Sequence, residues 1–125
     1  MLLGSYPCLV LGYVWFKVAQ SDLPGGRNGP LDAYRHTLAS AVVAHTLNED
    51  VVKWVTEIME DDQFPTQRMD IHNNRIGAQI GARTKRFRDL EPAVAKSVAN
   101  GRIMANDPEQ STWMPEFIWG DSRMW

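Results

Sequence analysis

The sequence contains very little cysteine, which limits the covalent chemistry available to it. Cys8 is the single cysteine among 125 residues. The chain therefore forms no internal disulfide and has no zinc site built from several thiolates. One thiol gives little information about the compartment, because an exported protein without disulfides has the same composition. The cysteine content excludes a disulfide scaffold and leaves the cellular location open.

The sequence also lacks a large excess of charge of either sign. Thirteen lysine and arginine residues face 15 aspartate and glutamate residues, giving a formal net charge of −2 and an isoelectric point near 5.9. Domains that bind nucleic acids in general carry a marked basic excess. We therefore expect no nucleic-acid partner. The basic cluster at 83–88 could contact phosphate groups, but a solvated helix end is the favoured interpretation.

No apolar run in the sequence is long enough to cross a membrane. Residues 1–19 are mostly apolar but are interrupted by two glycines, a proline and a lysine, whereas a membrane span needs about 20 continuous apolar residues. A secretory peptide would place its positive charge first and a small-residue cleavage site last. We interpret the segment as folded protein, with a helix over Leu9–Gln20 favoured and a strand left open.

The overall composition of the sequence is typical of one globular domain. A hydrophobic fraction of 44% and a charged fraction of 22% over 125 residues predict a single domain spanning residues 1–125. The segment at 21–30, SDLPGGRNGP, breaks any regular element, and Pro30 suits a first helical turn. Beyond it, apolar spacing predicts helices that begin near Leu31, Val51, Thr66 and Glu91.

The ends of two of these helices are also predicted. The helix from Thr66 is expected to run to about Arg88, and the helix from Glu91 to end at Asn100-Gly101 in a left-handed cap. The tail from Asn106 is aromatic but poorly periodic, with Trp113, Phe117, Trp119 and Trp125. The predicted fold class is therefore all-α, a compact bundle of four to five helices with an irregular aromatic C-terminal tail.

One edge of the helix that follows the loop is polar. Asp32, His36 and Ser40 recur every fourth residue, with Arg35 beside them, so they stack along one face. A carboxylate one turn from a histidine can fix its tautomer and raise its basicity, as a general base requires. Taken alone, however, the pattern favours a solvated face on which Asp32 only stabilises the helix start.

A second polar segment, MDIHNNRIG at 69–77, interrupts a stretch that otherwise has helical spacing. Asparagine and aspartate are poor helix formers. On a helix Asp70, Asn73 and Asn74 share a face with two glycines, Gly77 and Gly81, that allow a second backbone to approach closely. Each glycine costs about 1 kcal/mol relative to alanine. We predict a close polar contact between helices, which is either a site or a hydrogen-bond network that only fixes the packing.

A metal site is the less favoured interpretation of these residues. His36 and His45 are nine residues apart and lie on opposite sides of a straight helix, and His45 continues an apolar stripe that is expected to pack in the core. One ion held by His36, Asp70 and His72 remains an option. Metal sites on helices often take two ligands from one helix, one turn apart. We do not assign such a pair to either helix here, and we predict no metal and no cofactor.

Glu60 belongs to an acidic cluster at the end of the predicted second helix. Such a cluster is usually a solvated face. A helical hairpin could nevertheless bring Glu60 towards Asp70 and His72, and paired carboxylates permit separate acid and base roles.

The pairing of DAYRH at 32–36 with MDIHNNRIG at 69–77 resembles a small helical domain found at the ends of Rhs-type and other polymorphic bacterial toxins and secreted effectors. The resemblance covers about residues 28–101, the motif-bearing core. That family usually has a His-Glu pair where this sequence has Met59-Glu60, so only the acidic half is present. The matching positions for which the resemblance implies roles are Arg35, His36, Asp70, Asn73, Asn74 and Gly77.

These observations predict an antibacterial effector of the toxin type that hydrolyses a cell-envelope substrate, either peptidoglycan or phospholipid. We expect it to be made in the bacterial cytoplasm and then secreted or delivered into a target cell, where the periplasm is the favoured location, with an immunity protein as a partner. His36, Asp70 and Glu60 are the predicted catalytic residues. The predicted substrate-binding residues are Arg35, His72, Asn73 and Asn74.

Two other functions fit the same residues. The first is a non-enzymatic interaction module or membrane-acting toxin, in which the polar motif only locks the helices together. The second is a metal-dependent nuclease that uses the His-Asn-Asn segment.

Overall fold

The chain folds into an all-α domain, as predicted. The computed structural model describes residues 2–48, 50–54, 64–103, 107 and 109–122, and residues 50–54 within it are helical. Two short 3-10 helices lie at Phe87–Asp89 and Glu116–Ile118, and two parallel two-residue strands are β1 (Arg102–Ile103) and β2 (Thr112–Trp113). The longer helices are α1 (Leu2–Gln20), α2 (Pro30–Thr46), α3 (Pro65–Arg83) and α4 (Leu90–Ala99).

The central element of the fold is α2. Pro30 occupies its first turn and Asp32 lies near the positive end of the helix dipole, both of which favour a helix start. Twelve of its 17 residues are buried, because α1, α3 and α4 all pack against it. The sequence predicted a single apolar stripe through Leu31 and Leu38, both fully buried. The helix is instead enclosed on most sides, so its polar residues are also placed inside the fold.

The contact between α2 and α3 is close because α3 presents two glycines to it, as predicted. A Cβ atom on Gly77 would lie against the Thr37 carbonyl oxygen and 2.7 Å from Ser40 Cβ. A Cβ atom on Gly81 would lie against the Ala41 carbonyl oxygen. The two backbones therefore approach to a distance that a larger residue would prevent, and this approach fixes α3 relative to α2.

Alanine at Gly77 is expected to destabilise the fold, whereas alanine at Gly12 is expected to stabilise it. The new methyl at Gly77 would meet backbone atoms that cannot rotate away, so we expect a loss of about 2 kcal/mol in the free energy of unfolding. A Cβ atom on Gly12 of α1 would meet nothing within 4 Å, so the better helix propensity of alanine should add about 0.5–1 kcal/mol. Urea unfolding of both variants measures the difference, and equal effects at the two positions would contradict the close approach.

One predicted helix end is wrong, and a second helix ends where predicted but without the predicted cap. Helix α3 ends at Arg83 rather than near Arg88, because His45 Nδ1 donates to the Thr84 carbonyl at 3.1 Å and the backbone of Thr84 is extended. The left-handed cap at Asn100-Gly101 is absent: Asn100 is right-handed, and the described residues with positive φ are Gly25 and Asn28.

The aromatic C-terminal segment packs against the loop that precedes α2. The Met114 amide donates to the Asn28 carbonyl at 2.9 Å, and the Gly120 amide donates to the Arg27 carbonyl at 2.7 Å. The Trp119 ring lies over Gly29, and its Nε1 donates to the Met114 carbonyl. The segment is irregular, as predicted, yet firmly bonded. Trp125 lies outside the described residues.

The N-terminal segment is a helix, which decides between the two structures left open for it. Val10, Val14 and Val18 of α1 recur every fourth residue and are buried against the rest of the domain. None of the helices in the described part of the chain is sufficiently long and apolar to cross a membrane.

Candidate functional site

A cleft of about 570 Å³ opens between α1, α2 and the start of α3. One of its walls is apolar and comes from α1, and the remainder is formed by charged or polar side chains with one alanine. The lining residues are Leu11, Trp15, Arg27, Asn28, Asp32, Arg35, His36, Ala39, Thr66 and Asp70.

His36 lies between two carboxylates in this cleft. Its Nε2 atom is 3.3 Å from Oδ1 of Asp70, which comes from α3, and 3.6 Å from Oδ1 of Asp32, one turn earlier on α2. The side chains of His36 and Asp70 are 34% and 39% exposed, so solvent and a ligand can reach them. The predicted meeting of an imidazole from one helix with an acid from the other is thus present in the structure.

Asp32 is held rigidly at the inner end of this group. Its Oδ1 accepts a hydrogen bond from the Arg35 guanidinium at 2.8 Å, and its Oδ2 accepts one from the Asn28 amide at 2.9 Å. Asn28 has a φ of 70°, a conformation that asparagine adopts more readily than most residues. Arg35 also lies 5.6 Å from the centre of the Trp15 ring. Arg35, predicted to bind substrate, is therefore in the cleft wall and fixes Asp32.

Asp70 has a raised pKa. Burial is the main cause, and the charge of Asp32 raises the pKa further, while His36, Arg27 and Arg35 oppose the shift. Its Oδ1 atom is buried and lacks a hydrogen-bond partner among the described residues, because the 3.3 Å approach of His36 is that of an ion pair without hydrogen-bond geometry. A carboxyl group in this setting keeps its proton at a pH where an exposed aspartate has lost it.

The other polar residues of the 69–77 motif are bonded within the fold. His72 Nε2 donates to the Gln110 carbonyl at 2.7 Å. Asn73 is fully buried, and its amide pairs with both backbone groups of Thr112 at 2.8 Å. Asn74 Oδ1 accepts from Ser40 Oγ at 3.1 Å. None of the three lines the cleft, and their bonds hold α3 to the rest of the fold; their predicted contact with substrate stays a prediction.

The remaining predicted catalytic residue, Glu60, lies outside the described residues. Its proposed role as a second acid stays a prediction. Met59 lies outside them as well.

Three donor atoms in the cleft are arranged in a way that could hold a divalent cation. One ligand atom from each of Asp32, His36 and Asp70 lies within 4.8 Å of the other two. Carboxylate oxygen and imidazole nitrogen suit zinc or manganese. His72, the third ligand in the metal site considered from the sequence, is bonded to the Gln110 carbonyl, and Asp32 is the third residue of the group instead. Helix α2 therefore does carry two of the possible ligands one turn apart, contrary to the prediction.

Several residues of the cleft were missed by sequence reasoning. Asp32 was recognised as a neighbour of His36 but not as a member of the site, although its spacing gave the signal. Arg27 and Asn28 lie in a turn whose path depends on the C-terminal segment. Leu11 and Trp15 gave no signal, since apolar residues in an apolar helix are ordinary core candidates.

The fold and the cleft together define a small all-α domain with a histidine placed between two carboxylates in a solvent-accessible groove. The chain belongs to the family described as a domain of unknown function (DUF6973), whose model matches residues 12–102. That span contains every cleft residue except Leu11. No curated protein and no solved structure matches the chain.

Proposed function

We propose that this chain is a hydrolase that acts on a cell-envelope substrate by acid-base chemistry at the Asp32–His36–Asp70 group. The observation that carries this proposal is the approach of both carboxylates to one imidazole nitrogen in an open cleft. The resemblance of the motifs at 32–36 and 69–77 to those of polymorphic toxins supports an antibacterial effector, delivered into the periplasm of a target cell and neutralised by an immunity protein in its producer.

The chemistry follows from the different surroundings of the three groups. His36 takes a proton from a water molecule as that water attacks the electrophilic carbon or phosphorus of the substrate. The bond to the leaving-group oxygen breaks, and this oxygen takes its electron pair and a proton from Asp70. His36 then releases its proton to solvent and Asp70 takes one up, since both side chains are partly exposed; one water is consumed and the site is restored. Asp32, fixed by Arg35, orients the imidazole.

Arg27 supplies positive charge at the exposed edge of the same cleft. A guanidinium that faces the reacting group stabilises negative charge as it develops on oxygen, an effect worth several kcal/mol, on the order of 3, at a preorganised site. The acidic isoelectric point of the chain and its apolar cleft wall favour an envelope substrate over DNA.

The pH dependence of the reaction tests the role of Asp70. Asp70 acts as an acid only while it is protonated, so activity should decline as the pH rises through its raised pKa. Purified protein is incubated with phospholipid vesicles and with isolated cell walls, and kcat/KM is measured against pH for the substrate that is cleaved. Asp70→Asn should lose about 100-fold in kcat/KM and lose the alkaline decline.

Asp89→Asn is the matched control, because Asp89 is exposed on the 3-10 helix after α3 and is not among the cleft residues. Its profile should equal that of the wild type. Cleavage of neither substrate, or an Asp70→Asn profile identical to the wild-type one, would refute the proposed chemistry. Vesicle leakage without cleavage would instead favour the non-enzymatic membrane-acting toxin.

A second candidate function is a metal-dependent hydrolase, including a nuclease, and the proximity of the three donor atoms favours it. In that case the bound cation, rather than His36, would activate the water. Loss of activity in a chelator and its recovery with Zn²⁺ or Mn²⁺ would establish this alternative. Activity unchanged in a chelator would exclude it and leave the acid-base mechanism.

A further inference from the structure

Helix α1 is apolar on the side that faces away from the domain. Leu9 and Phe16 are 70% and 60% exposed. They are seven residues, or two helical turns, apart, so they share one face, roughly opposite the buried Val14. Residues at the surface of a soluble helix are ordinarily polar. The buried side of α1 is explained by the core, whereas nothing in the described part of the chain covers this outer face.

The outer face of α1 continues into the candidate active site. Leu11 and Trp15 are one turn apart on the flank of the helix, between its buried and outer faces, and both line the cleft. Leu11 is itself well exposed. An apolar chain can therefore pass from the outer face of α1 into the cleft beside His36 without crossing a polar surface.

The charges around this face are suited to an anionic surface. The segment Leu2–Gln20 contains no acidic residue, and its one charged residue is Lys17. The Lys17 ammonium lies 6.0 Å from the centre of the Phe16 ring, next to the outer face. Arg27 adds a second cation at the cleft. Apolar side chains flanked by cations are the combination with which helices lie in the surface of anionic membranes.

We propose that the outer face of α1 docks on an anionic phospholipid bilayer and that the substrate of the cleft is a phospholipid taken from it. The helix lies in the plane of the surface with Leu9 and Phe16 inserted. The acyl chain of the substrate lies along Leu11 and Trp15, and its phosphate approaches Arg27 and His36. The docking is inferred from the exposed residues of α1 and does not depend on the enzyme activity. The choice of substrate, in contrast, rests on the proposed hydrolase function.

Vesicle flotation tests the docking separately from the chemistry. The full chain is mixed with vesicles of phosphatidylcholine containing 30% phosphatidylglycerol (about one charge per three lipids) and with vesicles of phosphatidylcholine alone. We expect the wild type to bind the anionic vesicles more strongly, and salt to reduce the difference. The double variant Leu9→Ser/Phe16→Ser should lower the partition coefficient at least about ten-fold.

In the matched control, two exposed apolar residues outside α1 are replaced by serine. Leu47→Ser/Ile103→Ser removes two apolar side chains that are 51% and 49% exposed outside α1, and its partition coefficient should stay within about two-fold of wild type. Circular dichroism melting confirms that both variants are folded. Equal losses in the two variants, or no binding of the wild type to anionic vesicles, would overturn the docking.

Lipid products in the same samples are measured by mass spectrometry. Binding without lipid cleavage would contradict the hydrolase and leave the docking standing. Cleavage of a dissolved short-chain phospholipid without vesicle binding would contradict the docking and leave the hydrolase standing. Cleavage of cell walls alone, or a dimer that is lost in Leu9→Ser/Phe16→Ser, would show that peptidoglycan or a second copy of the chain is the true partner, and would overturn the proposal.

Discussion

Replacing His36 by alanine is expected to lower kcat/KM by about 10²–10⁴-fold, the range typical for loss of a positioned general base. The imidazole nitrogen lies within 3.6 Å of both carboxylates of the cleft, and the variant removes the group that takes the proton of the attacking water. Because the side chain is 34% exposed and lies at the edge of the core, stability should change little. Initial rates on the cleaved substrate and the melting temperature, measured on one preparation, separate the two effects.

The other two histidines of the chain provide the controls for this experiment. His45 is bonded to the Thr84 carbonyl and packs edge-on against Phe87, and His72 is bonded to the Gln110 carbonyl. Alanine at either position should lower the melting temperature and preserve kcat/KM in the folded fraction. Equal rates for all three alanine variants and the wild type would remove His36 from the mechanism, and a selective loss at His72 would restore its predicted contact with substrate.

Replacing Asn73 by alanine is expected to destabilise the fold by about 3–5 kcal/mol. The variant loses two hydrogen bonds of 2.8 Å that join the buried Asn73 side chain to the amide and carbonyl of Thr112, and the loss of a buried partner costs about 1–3 kcal/mol per bond. A domain of this size is ordinarily stable by only about 5–15 kcal/mol. Denaturant unfolding followed by far-ultraviolet circular dichroism measures the loss.

Asn74→Ala is the comparison for this variant, because the two asparagines are adjacent on α3. Asn74 has one described hydrogen bond, to the Ser40 hydroxyl at 3.1 Å, and is only half-buried, so we expect a loss of about 1 kcal/mol. A larger loss of stability in Asn74→Ala than in Asn73→Ala would contradict the prediction that the two bonds between Asn73 of α3 and Thr112 of β2 stabilise the fold strongly.

The sequence predicted the parts of this fold that depend on local pattern. The apolar spacing of α2, the proline at its start and the glycine pair of α3 are each local signals, and the structure confirms them. The end of α3 was missed because a histidine on another helix decides it. The partners of His72 and Asn73 were missed because they belong to a C-terminal segment that has no periodicity from which its position could be predicted.

The candidate site was predictable to the same limited extent. The sequence placed His36 on one helix and Asp70 on another, and the glycines indicated that these helices are close. It did not indicate which polar residues of the 69–77 motif face the cleft, because neighbouring residues on a helix point about 100° apart. Asp70 faces His36, whereas Asn73 faces β2. The apolar wall from α1 depends on how that helix packs, which no local pattern specifies.

The bonds that join the C-terminal segment to the loop before α2 affect the order in which this protein is assembled during synthesis. Gly26 and Arg27 are bonded to Gly120, and Asn28 to Met114, so residues 114–120 must have left the ribosome before this loop gains its partners. A nascent chain already containing His36 and Asp70 still lacks the support for the turn that carries Arg27 and Asn28. If the proposed activity is harmful to the producing cell, the cleft thus becomes fully formed only after residue 120 has been synthesised, well after its histidine and both carboxylates.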